Sequence, residues 1–406
     1  MSGTRGVFAF AHIGDLHLEQ PGDRNAIDLR AILAEVDGLH QSGLLDFAYL
    51  PGDLAEDGRA AQYKILTDAL AAHSALPVRL IAGDHDRQHG RMTDFDALFA
   101  QVMGSRQGGR HQPRGHYLPR PQTPIYVPHY YYAETFAGVR CLFLDMISAG
   151  YGQKGFGLDF RLGPCQLDWL GSELAAADRD GLPCAVFTHT YPDDLTGPDE
   201  KATLAGLIRG HNVRLVEMGH THYNELAHDG RTLYASARSV GQNEDGAVGY
   251  AVGAIDGAVT SWRFKPLDRK LPFVMITSPA DRRLAAEPLV AGGTITVRAL
   301  VLSNAPQEHW SCHARVDGGP PHPMHPVGPR TVEAQVPWPG GAHRLSVTAA
   351  DGTGGSDAET IEPVSCAFTP PPAPKRPGSD AFRTQAWPGK GIRGDQLGPN
   401  RNGRDW

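Results

Sequence analysis

The 406-residue chain is 41% hydrophobic and 20% charged. That is enough apolar matter for a sizeable core and excludes wholesale disorder; the length suits two domains, or one large and one small. A formal net charge of -7 argues against a nucleic-acid polymer or an anionic membrane as partner. No apolar run approaches the roughly 18 residues of a membrane helix.

The opening MSGTRGVFAFAHIGDLHLEQ has only a brief apolar stretch and no small-residue cleavage site. It reads as mature and cytoplasmic. Val7–Ile13 then reads as a strand and Ala26–His40 as a helix through Ile27, Ile32, Leu33, Val36 and Leu39. Leu44–Leu50 and Val78–Ala82 read as strands, with a helix over Ala60–Ala72 between them. This alternation predicts a largely parallel sheet with helices on its faces. Phe95–Met103 has helical spacing, inside a 87–129 insertion rich in Gly, Pro, His and Arg that is a candidate lid. Tyr130–Phe136 and Val139–Met146 predict a hairpin, and Gln166–Ala177 a helix. Ala185–Thr188 and Val213–Met218 predict strands. Thr232–Ala235, Gly249–Ile255 and Ser261–Phe264 predict an antiparallel return.

Near Leu267 the pattern changes. Residues 269–368 hold short alternating segments between Gly and Pro, including Phe273–Ile276, Thr294–Val301, Ser311–Val316, Thr331–Val336 and His343–Ala349. That predicts an all-β, immunoglobulin-like sandwich. Residues 369–406 are a Pro-rich linker and a basic, Gly-rich tail that keeps Trp387 and Trp406, a composition suited to docking on the body or on a neighbouring subunit. The five cysteines are odd in number and widely spaced, without a CxxC, so neither a disulfide framework nor a thiolate zinc site is expected. Cys141 and Cys184 lie in apolar runs and read as buried small hydrophobes.

Five strand candidates end in potential ligands: Asp15 and His17; Asp53; Asp84, His85 and Asp86; His189; His220 and His222. In open α/β sheets such groups meet along the rim formed by the carboxyl ends of the strands. Singly, each is an ordinary cap, turn or core residue. Jointly, with three of these carboxylates and four of these imidazoles at one rim, buried like charges would repel and be desolvated without a cation. Mixed Asp/His ligation suits Zn, Mn, Fe or Co, and seven ligands suit two ions sharing a carboxylate.

The series Asp15-Leu-His17, Gly52-Asp53, Gly83-Asp84-His85-Asp86, His189 and Gly219-His220-Thr221-His222 resembles the calcineurin-like metallophosphoesterase superfamily over about residues 1–268. The segments PGDLAEDG and QLDWL resemble its cyclic-nucleotide and glycerophosphodiester phosphodiesterase branch. The resemblance implies a four-layer α/β/β/α catalytic domain over 1–268. It also implies two metal ions (Fe, Mn, Zn or Co), one held by Asp15, His17, Asp53 and His222 and the other by Asp53, Asp84, His189 and His220. The implied reaction is phosphodiester hydrolysis by a metal-bridging hydroxide, with His85 facing the leaving oxygen and Asp86 orienting it. The implied substrate is a small phosphoester. Phosphomonoesterase or nucleotidase activity, and a non-catalytic interaction scaffold on the same fold, stay open as alternatives. The superfamily usually has Asn where this chain has Asp84, which adds a negative charge and is expected to tighten the second ion and favour monoanionic diesters. Tyr191 and Arg238 are candidate substrate contacts, and a homo-oligomer through the lid, sandwich or tail is compatible with the sequence.

Overall fold

A computed structural model describes residues 6–87, 92–104, 118–120, 123–125, 130–147, 160–197, 199–243, 246–284, 292–341, 343–363, 384 and 386–393. The first half contains β1 (Phe8–His12), α1 (Arg24–Gln41), β2 (Ala48–Leu50), α2 (Ala60–Ala71), β3 (Val78–Leu80) and α3 (Thr93–Met103). The pairs β4 (Leu118–Arg120) with β5 (Thr123–Ile125) and β6 (Tyr132–Phe136) with β7 (Val139–Phe143) follow. Next come α4 (Gly163–Arg179), β8 (Cys184–Phe187), α5 (Glu200–Gly210), β9 (Val213–Met218), β10 (Glu225–His228) and β11 (Leu233–Ser236). The long hairpin β12 (Gly249–Asp256) and β13 (Val259–Pro266) ends this part. The remaining strands are β14 (Phe273–Ser278), β15 (Gly293–Leu302), β16 (Ser311–Val316), β17 (His322–Pro326), β18 (Thr331–Trp338), β19 (Leu345–Ala350) and β20 (Ser356–Ile361).

Two sheets face each other. The first has the order β13-β12-β1-β2-β3, parallel between β1, β2 and β3. The second has the order β10-β11-β9-β8-β7-β6, parallel from β11 to β7. The antiparallel return holds for β12 and β13, but β11 runs parallel to β9, because the β10–β11 hairpin folds back so that β11 inserts against it. On α1, Leu29, Ile32, Leu33, Val36 and Leu39 recur at helical spacing and are buried against the first sheet, while Ile27 is 49% exposed and lies off that stripe. The helices α4 and α5 cover the second sheet through Leu170, Leu174, Leu204 and Ile208. The result is the helix–sheet–sheet–helix layering that the motif resemblance implied.

Aromatic rings lock the two sheets together. Phe187 meets Phe10 edge-on at 5.1 Å, Tyr49 at 4.8 Å and stacks on Phe143 at 4.7 Å. Each such pair is worth about 0.5–1.5 kcal/mol beyond area burial. A buried polar clasp joins them: His12 Nδ1 lies 2.6 Å from Glu217 Oε1, which also accepts from Trp262 Nε1 at 3.1 Å. Strand ends anchored this way are fixed relative to one another across the sandwich.

The seven strands of 273–361 form one curled all-β unit in the order β14-β15-β18-β17-β16-β19-β20, with β14 packing back against β19 and β20 over a shared core. Its Phe273, Met275, Leu300 and Leu302 also join the main core. The described part of the C-terminal segment docks: Trp387 and Ile392 are buried, and Thr384 N–H donates to Leu226 O at 2.8 Å. The linker 369–378, Trp406 and most of the 87–129 insertion lie outside the described residues; within the insertion, α3 packs on α2 and β3. Cys141 and Cys184 are buried and unpaired. Among the described residues, no helix is long and apolar enough to cross a membrane.

Candidate metal centre

Every candidate ligand lies just beyond the carboxyl end of a parallel strand. Asp15 and His17 follow β1, Asp53 follows β2, Asp84 follows β3, His189 follows β8, and His220 and His222 follow β9. The first four come from one sheet and the last three from the other, so the cluster forms only where the two rims meet. His17, Asp53, His220 and His222 have φ between 45° and 68°. Left-handed backbone at a non-glycine residue costs of order 1 kcal/mol and is held only where the surroundings dictate it.

The glycines of the motifs have a steric reason. A Cβ at Gly83 would sit 2.1 Å from Asp53 Oδ1, and one at Gly219 would sit 2.6 Å from Asp15 Oδ1. The ligand carboxylates occupy the space that a side chain would need.

Three overlapping groups have ligand atoms within 4.8 Å of one another: Asp53, Asp84, His189 and His220; His17, Asp53 and His85; Asp15, Asp53 and His222. Asp53 belongs to all three. Asp84 Oδ1 lies 3.0 Å from both His189 Nε2 and His220 Nδ1. His189 Nδ1 is bound to Pro51 O at 2.8 Å, which turns Nε2 toward the carboxylates. His17 Nδ1 contacts Glu56 Oε2 at 3.0 Å, and its Nε2 faces His222 Nε2 at 3.1 Å.

The electrostatics are mutually frustrated. Burial, and then the charge of Asp84, raises the Asp53 carboxyl. Burial also raises Asp84, but His220 and His189 override it and hold it well below the usual carboxylate range. Burial lowers His189, yet Asp53, Asp84 and Asp15 outweigh it and push the imidazole up to about 10. Burial takes His222 down to about 4 against the pull of Asp15. Asp15 Oδ1 and Asp53 Oδ2 are buried without a hydrogen-bond donor among the described residues. Orphaned acceptors and facing imidazole nitrogens are what a cation would satisfy, so the donor set fits metal binding.

Three further candidates have partners of their own. The buried carboxylate of Asp86 accepts from the N–H groups of Gly83 (2.9 Å), Leu54 and Ala55 (both 3.3 Å) and from Tyr63 Oη (2.9 Å). It ties the β2 and β3 loops together. Tyr191 is fully buried and its hydroxyl donates to Glu225, so it offers no surface to a ligand. Arg238 lies over Phe264, 4.4 Å from the ring centroid, and donates to Ala247 O and Gly391 O.

Glu56 was missed. Its side chain contacts His17, its carbonyl accepts from His85 Nδ1 at 2.8 Å, and Gln242 Nε2 donates to both its carboxylate oxygens at 2.9 and 3.1 Å. The signal was its place three residues after Asp53 in PGDLAEDG, but an exposed-looking acid in a turn carries no mark of its partner.

The calcineurin-like phosphoesterase pattern matches residues 8–224. The chain belongs to that family. It is 29% identical over 229 residues to a probable cyclic nucleotide phosphodiesterase of Rhodococcus erythropolis, covering 53% of this chain and 65% of the relative. It is 27% identical over 233 residues to a cAMP/cGMP dual specificity phosphodiesterase of Mycobacterium tuberculosis, covering 54% of this chain and 63% of that one. The chain thus spans a little under two thirds of the length of these relatives. A solved dimetal phosphatase from Danio rerio is similar at 16% identity and a TM-score of 0.48, over 64% of this chain and 96% of that one.

Proposed function

We propose that the chain hydrolyses small phosphodiesters, with cyclic nucleotides as first candidates and glycerophosphodiesters as second. The reading rests on two cations, one at Asp15, His17, Asp53 and His222 and the other at Asp53, Asp84, His189 and His220. The observation that carries it is the place of Asp53. Its Oδ2 lies 3.8 Å from His17 Nε2 and 3.6 Å from His189 Nε2, between the two halves of the cluster. The names of the two phosphodiesterase relatives support the diester class.

A cation pair at these residues supplies Lewis acidity, activating water and neutralising phosphate charge. The chain's own residues do the rest. Asp53, Asp15 and Asp84 fix the charge of the site. His17 and His189 present Nε2 inward because their Nδ1 atoms are engaged by Glu56 and Pro51. His85 Nδ1 is engaged on Glu56 O, which orients the ring, and its Nε2 is assigned the role of proton donor to the leaving oxygen. In the same reading, the all-β unit is an immunoglobulin-like module that buttresses the catalytic core.

The test is turnover of bis-p-nitrophenyl phosphate against p-nitrophenyl phosphate with Mn, Fe, Zn and Co, followed by cyclic AMP. Faster diester cleavage is expected. Faster monoester cleavage would favour a phosphatase, and no turnover with any metal would favour a scaffold.

A further inference from the structure

A cavity of about 640 Å³, apart from the metal cluster, opens at the junction of β13, the 269–273 connection, the start of β20 and residues 388–393. None of the seven candidate ligands lines it. Among the described residues, its walls carry six cations, Arg238, Arg263, Lys265, Arg269, Lys270 and Arg393, against one carboxylate, Asp357. Asp357 is committed to Arg263, with Oδ1 3.0 Å from Nη2, and Lys265 is paired with Glu35 at 2.8 Å. In a chain of net charge -7, this concentration of basic side chains focuses a local positive potential.

The cavity is not merely basic. Phe264, Phe273, Leu271 and Pro272 line it. Arg238 covers one ring at 4.4 Å and Arg263 the other at 4.8 Å. At the rim, Arg269 and Lys270 are exposed. Their backbone is held in place: Arg269 N–H donates to Pro266 O at 3.2 Å, and Lys265 Nζ donates to Arg269 O at 2.7 Å. Such a volume, with apolar walls and convergent charge, has the dimensions of a small-molecule site. Neighbouring cations favour a multiply charged anion, and guanidinium-capped rings favour a flat group.

We propose that this junction cavity is a binding site for an organic phosphate of mononucleotide size, its phosphate toward Arg269 and Lys270 and its planar part on the side of the cavity where Arg238 and Arg263 cap Phe264 and Phe273. The site is separate from the metal cluster, and the assignment does not depend on the phosphodiesterase reading.

Calorimetric titration of AMP into the full chain, the R269E/K270E double variant and Asp53→Asn tests it, with inorganic phosphate as a parallel titrant. The expected result is AMP binding that survives in Asp53→Asn, weakens at least about tenfold in the double variant, and exceeds phosphate binding. Turnover of bis-p-nitrophenyl phosphate by the double variant should stay at the parent level, and near-UV circular dichroism should confirm its fold. Four results would each overturn the proposal: absence of AMP binding, undiminished affinity in the double variant, loss of binding in Asp53→Asn, or phosphate binding as tight as AMP.

Discussion

The His85 backbone N–H donates to Asp53 Oδ1 at 2.8 Å. One carboxylate oxygen is therefore tethered, and Oδ2 is aimed into the metal cluster without another donor among the described residues. Asp53→Asn keeps the tether but removes the charge shared by both halves. It should lower activity about 10²–10³-fold, the cost of losing a principal electrostatic contact, and reduce bound metal in elemental analysis from two equivalents to one or fewer. Full metal content in the variant would show that Asp53 does not bridge.

Gly219→Ala tests the steric reading of the GHxH motif. The added methyl would meet Asp15 Oδ1 at 2.6 Å and Pro51 Cβ at 2.8 Å. A destabilisation of about 1–3 kcal/mol is expected from overpacking, with weaker metal uptake because Asp15 must move. Denaturant unfolding of the metal-free protein reads the first effect, and metal titration reads the second. Parental values in both would remove the steric argument.

Asp84→Asn addresses this chain's departure from the usual family residue. Asp84 Oδ1 contacts both His189 and His220 at 3.0 Å, so a neutral amide loses two attractions. Affinity for the second metal equivalent should fall about 10- to 100-fold, and the ratio of diester to monoester turnover should fall as well. Unchanged metal affinity together with an unchanged ratio would sink the charge argument.

His228 gives a pH signature away from the metal cluster. Burial lowers its pKa to about 4, whereas an unfolded histidine titrates near 6.5. Between these values the unfolded state binds the proton and the folded state does not, so stability falls as pH drops from about 6.5 to about 4. The full effect is at most about 3 kcal/mol. His228 Nδ1 accepts from Gly230 N–H at 3.0 Å, an interaction that the Asn side chain can mimic. His228→Asn should therefore flatten the decline of unfolding free energy over that window. Identical slopes in parent and variant would reject the assignment.

Much of the site was legible because each ligand directly follows an apolar strand, so local order along the chain encodes position on a shared rim. Side-chain direction was not legible. Asp86 looked like a partner of its neighbour His85, yet its carboxylate turns to the Leu54 and Ala55 amides 32 and 31 residues earlier. Tyr191 and Arg238 sit near the motifs in sequence but face the core and the C-terminal segment. Of the elements that escaped notice, three did so for compositional reasons. The helix α5 has only a short apolar stripe, Leu204, Leu207 and Ile208. The strand β17 reads HPMHP, where prolines mask the pattern, and β20 reads SDAETI, polar as an edge strand can be.

The left-handed turns at His17, Asp53, His220 and His222 mean that the ligand cage is wound by folding itself. A peptide carrying any one motif lacks the opposing sheet, relaxes to ordinary backbone and should hold metal poorly. Selection for a new substrate can therefore reshape surface loops freely, whereas any change that loosens the aromatic seam beneath the rim dismantles the cage from below.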